Sequence, residues 1–439
     1  MSALRKAVLA SLSEGRVHAR ARARARAPRA AESRATKGRR KDQDALSAYV
    51  HLPFCRRKCF YCDFPVVALG KESSGTTQFE SYVNVLCKEI RSYAAVDGRR
   101  REEEAVAGEP LKTVFFGGGT PSLIPPAELE RVLATIEETF GIDSNAEISM
   151  EADPGTFDRQ KLSDFVGLGV NRLSMGVQSF DSKLLELCGR SHSLEDVYQA
   201  IEDMHAVSPP SWSMDLMFGL PHQNRETWQN TLEQAIEAEP DHISCYDLQI
   251  EDGTPFAKWY DVGLKPLPGE DTGAEFFKLA SDTLSEGGYL HYEISNYAKK
   301  GHESKHNITY WHNKPFYAFG LGSTSYLHET RIQRPRKMRE YEAWVNEEEI
   351  EGRKERESKE DLLLDSIMLR LRLSEGLHLE GLDEKFGISG VEGRIWEAVQ
   401  EYVARNLVQV GEGRRIRLTD PEGFLLSNTI ISDIFKRVL

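Results

Sequence analysis

The stretch Ala48-Tyr49-Val50-His51-Leu52-Pro53-Phe54-Cys55-Arg56-Arg57-Lys58-Cys59-Phe60-Tyr61-Cys62 decides how the rest of the chain is read. Residues 48–52 are β-rich and read as a strand, and three cysteines follow it on a short loop. Soft thiolates clustered at a strand's carboxyl end select zinc or an iron–sulfur cluster, because a loop of this length can wrap three sulfurs around one centre. Three thiolates would leave one iron of a cubane cluster open to an exchangeable ligand. A closed zinc site needs a fourth donor, for which His51 is at hand. Cys87, Cys188 and Cys245 stand singly and read as buried small hydrophobes.

Outward from this loop, short β-rich runs alternate with amphipathic helices. Strands are expected at 48–52, 111–116, 147–151, 171–176, 211–217 and 242–247, and helices at 78–93, 127–140, 158–168, 194–205 and 225–238. Pro125 and Pro126 open the second helix and Gly141 closes it. Such alternation gives a parallel sheet with right-handed connections, so the expected α/β architecture is a partial (β/α)6 barrel over 45–250 with its chemistry at the strands' carboxyl ends. Residues 251–346, rich in Gly, Pro and aromatics, read as an extension of the barrel, and 347–361 as a charged linker or solvated helix. Residues 362–439 show helical patterns, a hairpin and a closing helix, a winged-helix-like module. From Arg356 onward 12 basic residues face 15 acidic ones, which disfavours a DNA reader.

Composition narrows the function classes. In 439 residues there are six cysteines, too sparse for a disulfide-stapled secreted domain, and no apolar run approaches a bilayer span. A reducing compartment is expected. Residues 1–41 hold 13 Lys or Arg against Glu14 and Glu32, a net +11, so the remainder carries −24 of the total −13. An acidic body repels phosphate backbones, so no nucleic-acid partner is expected. The acid-poor, Arg-rich segment 1–44 reads as a transit peptide, with a mitochondrion ahead of a plastid because serine is scarce. If it stays attached as a basic arm, the protein is cytoplasmic.

Cys55-x3-Cys59-x2-Cys62, with Tyr61 before the last cysteine, resembles the signature of the radical S-adenosylmethionine (SAM) superfamily. The resemblance implies a [4Fe-4S] cluster whose open iron chelates the amino and carboxylate groups of SAM, then cleaves its sulfonium to a 5'-deoxyadenosyl radical with an electron from an outside donor. Gly117-Gly118-Gly119-Thr120-Pro121-Ser122 ends the second strand and lacks the Lys-Ser/Thr end of a phosphate-binding loop. By the resemblance its glycines approach the methionine end of SAM. Glu151-x-Asp153-Pro154, Gly176-Val177-Gln178-Ser179-Phe180, Gly189-Arg190-x-His192 and Asp215-Leu216-Met217-Phe218-Gly219-Leu220-Pro221 follow in order. Together they resemble the coproporphyrinogen oxidase-like branch across residues 48–439. That implies a SAM site of Tyr49, Tyr61, Gly118, Gly119, Thr120, Glu151, Gln178, Arg190 and Asp215.

Within this branch, oxygen-independent coproporphyrinogen III oxidases carry a fourth cysteine two positions after the third, where this chain has Phe64. His306-Asn307-x-x-Tyr310-Trp311 is similar instead to a motif of the HemW-type haem chaperones. The resemblance implies that haem is held through an axial nitrogen of His306 and the aromatic surfaces of Tyr310 and Trp311, and is passed to an acceptor protein. Where chaperones of this type often have a histidine, the chain has Thr324.

Overall fold

The computed structural model describes residues 45–70, 76–96, 109–347 and 353–439. The transit-peptide segment 1–44 lies outside the described residues. Strands β1 (Ser47–Leu52), β2 (Leu111–Gly118), β3 (Ile142–Ala152), β4 (Arg172–Gln178), β5 (Ser211–Phe218) and β6 (His242–Asp247) pair in parallel and in chain order. Helices α1 (Thr76–Val96), α2 (Pro126–Phe140), α3 (Arg159–Gly167), α4 (Leu194–Val207) and α5 (Arg225–Glu237) lie between them. Their ends follow local chemistry. Pro126 starts α2 where its missing N–H costs nothing, and Gly141 stops it at φ +73°. Reciprocal capping boxes, Ser193 with Asp196 and Asn224 with Thr227, open α4 and α5.

Each strand alternates strictly. Val50, Val114, Phe116, Ile148, Met150, Leu173, Met175, Met214, Leu216 and Ile243 pack outward in the main apolar core. The intervening Ser149, Glu151, Arg172, Ser174, Ser213, Asp215, His242 and Ser244 face a small polar cavity of about 50 Å³ inside the sheet's curve. Because side chains have a period of two along a strand, one run of sequence builds an apolar wall on one side and a polar lumen on the other.

The sheet is wider than a six-stranded part-barrel. Beyond helix α6 (Glu270–Glu286) come β7 (Leu290–Glu293), β8 (Asn296–Ala298), helix α7 (Lys305–Trp311) and β9 (Tyr317–Phe319). β9 adds to β1 in parallel, while β8 and β7 continue antiparallel from β6, giving the order β9-β1-β2-β3-β4-β5-β6-β8-β7. Strands β10 (Thr324–Leu327), β11 (Thr330–Gln333) and β12 (Arg353–Arg356) form an antiparallel sheet, and helix α8 (Met338–Asn346) precedes the last of them. The stretch 347–361, expected as a linker or solvated helix, thus contributes β12 and the start of α9 (Lys359–Arg370), because β11 offers an edge for pairing.

The C-terminal module sets α9, α10 (Leu382–Phe386), α11 (Val391–Ala404) and α12 (Ser427–Val438) around a sheet of β13 (Leu377–His378), β14 (Val408–Gly411) and β15 (Arg415–Leu418) in the order β13-β15-β14. Its own core, including Leu363, Ile367, Val399, Ile431 and Phe435, receives Trp311, Phe277 and Ile294 from the barrel side. Among the described residues no helix is long and apolar enough to cross a membrane.

A buried charge pair ties α1 to the later segments. Glu89 accepts from Arg334 Nε (2.7 Å), Tyr341 Oη (2.7 Å) and the Gly320 N–H (2.8 Å), and both charged side chains are fully buried. Removing one member leaves the other charge unpaired in the core, so Glu89→Leu should lower stability by ~3–5 kcal/mol in urea unfolding. The double variant Glu89→Leu/Arg334→Met should regain most of that loss, since no charge is then stranded.

Candidate functional site

The cysteine loop leaves β1 through a two-residue strand, Phe54–Cys55, paired with Val67–Ala68. All three thiols are free, Cys55 buried and Cys59 and Cys62 half-buried. The loop is stitched to the far side of the sheet: the Phe60 N–H donates to the Cys188 carbonyl (3.0 Å), Phe60 O accepts from the Phe256 N–H (3.1 Å), and Arg57 Nε donates to the Gly189 carbonyl (2.9 Å). Gly189 must be glycine there, for it sits at φ +71° and a Cβ would lie 2.8 Å from the Phe60 ring. Burial pushes the Cys55 thiol up to about 12 and raises Cys62 as well, so a metal that binds these sulfurs must displace their protons.

The glycine run after β2 is packed from three directions. A Cβ on Gly118 would meet the His51 ring at 2.4 Å, and one on Gly119 would meet the Phe54 carbonyl oxygen at 2.6 Å. The Gly119 and Thr120 N–H groups donate to Leu52 O (2.9 Å) and Phe54 O (2.7 Å), which seats the run against the root of the cysteine loop. Thr120 lies beside Cys55 and opposes the burial that raises its thiol. The Gly118 N–H donates to Glu151 Oε2 (2.9 Å) from β3. Burial, opposed by that hydrogen bond and reinforced by Asp215, raises the Glu151 carboxyl to about 7.

Arg190 is the hub. Its Nη1 reaches Tyr61 Oη (3.1 Å) and Cys59 Sγ (3.5 Å), and its Nη2 bonds Asp153 and the Gly176 carbonyl (2.8 Å). Asp153 also accepts from Ser191 Oγ (3.1 Å) and lies 3.1 Å from His192 Nδ1. Burial pushes the Asp153 carboxyl up, but Arg190 and these hydrogen bonds outweigh it and hold the group below the usual range. Two buried nitrogens here, Arg190 Nε and His192 Nε2, have no hydrogen-bond partner among the described residues. Gln178 ends β4 in the left-handed region at φ +71°, at an irregularity in its pairing with β5. Asp215 accepts from Ser174 Oγ (3.0 and 3.1 Å), and burial raises its carboxyl. Tyr49 stands over Gly117 and bonds His51 Nδ1 (3.1 Å).

These residues fit an iron–sulfur site better than zinc. His51, the fourth donor that zinc would need, has its Nδ1 on Tyr49 and its Nε2 on Pro65 O (3.1 Å), and burial lowers its pKa to about 4. Among the described residues no three His, Cys, Asp or Glu side chains converge as around a single ion. Three soft sulfurs beside a fixed guanidinium suit a larger anionic cluster.

The structure does not bring His306, Tyr310 and Trp311 to this place. Helix α7 closes the opposite, amino end of the barrel: the Lys305 and His306 N–H groups donate to the Glu147 carboxylate (3.1 and 3.0 Å). His306 is buried, with Nδ1 on Thr113 Oγ1 (2.7 Å) and Nε2 on Tyr310 Oη (2.7 Å), and burial lowers its pKa to about 3. Its ring stacks on Phe115. Both His306 nitrogens are thus engaged within the fold, so an axial bond from either would replace its hydrogen bond to Thr113 or Tyr310. Tyr310 packs on Phe316, and Trp311 packs into the C-terminal core.

Asp153, His192, Arg172 and His242 were not read as site residues. For Arg172 and His242 the available signal was a polar side chain opening an otherwise apolar parallel strand, whereas Asp153 and His192 stand inside motifs quoted above.

The raised carboxyl has a sign. With its folded pKa above its unfolded one, Glu151 contributes stability that is full below about pH 4.5 and is lost as pH rises through about 7. The metal-free Glu151→Gln variant should show a shallower fall in thermal midpoint between pH 5 and 8 than the parent, measured by circular dichroism.

Residues 49–235 match the radical SAM superfamily and residues 358–426 the HemN C-terminal domain. The chain is 41% identical over 408 residues to the heme chaperone HemW of Synechocystis, covering 89% of this chain and 96% of that protein. It is 33% identical to HemW of Lactococcus lactis, covering 88% and 97%. With radical S-adenosyl methionine domain-containing protein 1, mitochondrial, of Danio rerio it shares 30% identity, covering 88% and 86%. The structure of coproporphyrinogen III oxidase (HemN) from Escherichia coli superposes with a TM-score of 0.76 over 92% of each chain at 21% identity, a likeness of fold. Sequence kinship along almost its whole length, on this barrel and with this cysteine loop, places the chain in the HemW family of the radical SAM superfamily.

Proposed function

We propose that this protein is a haem chaperone that carries a [4Fe-4S] cluster and SAM at the carboxyl face of its barrel, binds haem, and delivers it to an acceptor protein. The observation that carries the reading is that one short cysteine loop, the Arg190–Asp153 pair and the Gly118–Glu151 contact meet at the carboxyl ends of the strands, in a chain related along nearly its full length to proteins named heme chaperone HemW. When bound, the cluster supplies an electron to the sulfonium of SAM, drawn from an outside donor.

The chain's own residues then divide as follows. Cys55, Cys59 and Cys62 hold the cluster, and Arg190 fixes the Cys59 sulfur by donating to it. Gly118 and Gly119 let main-chain groups approach the methionine end of SAM, which a Cβ would prevent. Glu151, held near half-protonation at neutral pH, can accept from or donate to a ribose hydroxyl. Tyr49, Gln178 and Asp215 complete the polar wall, and Tyr61 covers it by packing on Phe256. His306, Tyr310 and Trp311, on α7 between barrel and C-terminal module, are the residues the chaperone motif gives to haem, His306 as the axial donor and the two aromatics as ring surface. Coproporphyrinogen oxidation is not expected: the position of the oxidases' fourth cysteine is Phe64, a half-exposed aromatic with no redox chemistry.

We place the protein in an organelle through the basic, acid-poor segment 1–44. A mitochondrion accords with the mitochondrial relatives; the greater identity to the cyanobacterial relative favours a plastid as the second reading.

Anaerobic reconstitution should give about four irons and four sulfides per chain, and changing any one of Cys55, Cys59 or Cys62 to Ala should abolish this. Stoichiometric zinc without labile sulfide would defeat the cluster assignment. Haem should bind near one per chain, and coproporphyrinogen should not be turned over with SAM and a reductant; catalytic accumulation of protoporphyrinogen would make the protein an oxidase. A fluorescent reporter fused after residues 1–44 should enter an organelle, whereas a diffuse cytosolic signal removes the targeting claim.

A further inference from the structure

The outer surface of the cysteine loop has the opposite charge to the body that carries it. The chain beyond residue 41 is strongly acidic as a whole, yet Arg56, Arg57 and Lys58 stand together between Cys55 and Cys59, and Asp63 is the loop's one acid before Pro65. Asp63 is answered by a further cation: Arg336 Nη2 donates to its carbonyl (2.7 Å) and lies 3.9 Å from its carboxylate. Arg57 and Lys58 are exposed and bond main-chain carbonyls, Arg57 those of Gly189 and Arg190, Lys58 that of Phe64 (3.1 Å). Among the described residues no carboxylate pairs with either, so their charge faces solvent.

Exposed aromatic surface runs alongside these cations. The Arg57 guanidinium lies 5.9 Å from the centre of the Phe60 ring, and that ring packs edge-on against Trp259 at 4.9 Å. Trp259 is 55% exposed, Phe64 at the other end of the loop is equally so, and Val262 and Leu264 just beyond Trp259 are more exposed still. Trp259, Phe60, Arg57, Lys58, Phe64 and Arg336 thus form one continuous strip. Large exposed aromatics among arginines are the composition of an interface rather than of a solvated face. The strip overlies the thiols: Cys59 and Cys62, on the same loop, are half-buried, and Lys58 is close enough to oppose the burial that raises the Cys62 thiol. Helix α7, with the haem motif, closes the other end of the barrel, so a partner seated on the strip is not seated on that motif.

We infer that this strip is the docking surface of the electron donor, and that the donor is a small acidic protein carrying a one-electron centre. The inference rests on the cluster assignment made above and names the partner of that site. Opposite charge steers the encounter, and the aromatics give a short-lived complex its contact area. In the transfer the carrier is oxidised by one electron and the cluster reduced by one, with no bond formed and no proton moved.

The test uses the full chain with its cluster reconstituted anaerobically, mixed in stopped flow with prereduced plant-type ferredoxin or flavodoxin, both acidic carriers. Reduction of the parent should slow as salt rises. Lys58→Glu should slow it about tenfold at low ionic strength and flatten the salt dependence, Arg336→Gln should slow it several-fold, and Trp259→Ser should slow it at every ionic strength. All three variants should keep the parent's iron and sulfide content and its extent of reduction by dithionite, which needs no docking. Binding of the oxidised carriers to the immobilised chain, read by surface plasmon resonance, should weaken in the same order. If Lys58→Glu and Trp259→Ser bind the carriers and take electrons as the parent does, or if neither carrier binds the parent, the docking surface is wrong and the cluster assignment stands. If the variants change the oligomeric state and leave carrier binding alone, the strip joins copies of this chain and the inference is again wrong. If no cluster assembles in the parent, the cluster assignment itself falls and the inference with it.

Discussion

The constraint on which this architecture depends is that the inner face of its sheet is polar. Strands β3 to β6 place serines, carboxylates, an arginine and a histidine on one side, and a polar group taken out of water without a partner costs several kcal/mol on transfer scales, ~1–3 kcal/mol in proteins. The chain answers at both ends. At the amino end the segment from Tyr292 to Trp311 supplies partners: Arg172 donates to the His302 carbonyl (2.9 Å), His242 Nε2 meets Tyr292 Oη (2.9 Å), and Glu147 accepts the first N–H groups of α7. At the carboxyl end no such plug exists among the described residues, and buried nitrogens of Arg190 and His192 stay unpaired there. The polar wall is closed structurally at one end and left for ligands at the other.

Electrostatics follow from that asymmetry. Arg190 can be buried because Asp153 is buried with it, and the pair places a permanent positive charge against the sulfur of Cys59. Among the described residues no cation bonds Glu151 or Asp215, although Arg172 and Arg190 lower Asp215 from a distance. Burial raises both carboxyls, and each is pushed further or held by neighbouring acids and hydroxyls. The same face therefore holds a fixed charge beside the cysteine loop and titratable, hydrogen-bonding acids beside the glycine run, a polarity that would suit a cationic ligand bound next to an anionic cluster.

The parallel core was legible because buried parallel strands carry strong β-rich runs and their helices carry legible stops such as Pro126 and Gly141. The edge strands were not. Asn296–Ala298 and Tyr317–Phe319 are three residues long, too short for any period, and exist because the edges of β6 and β1 offer unpaired groups. Arg353–Arg356 has no β propensity and is a strand only because β11 lies beside it. The cysteine triad was readable from spacing alone, since a loop that short forces its sulfurs together. The orientation of His306 was unreadable: on a seven-residue helix it can face in or out, and Thr113, 193 positions away, decides.

Helix α7 is where the two ends of the molecule are joined. Asn307 lines the lumen cavity, and His306 is fastened to β2. Trp311 enters the C-terminal core, and His312 reaches Glu375 Oε1 (2.8 Å) beyond it. From Asn307 to His312 is about one and a half turns, ~7.5 Å along the axis. A helix so short and so fully clamped moves only as a whole, at the cost of the His306 and Glu147 hydrogen bonds, so it fixes how the barrel's amino end and the C-terminal module meet.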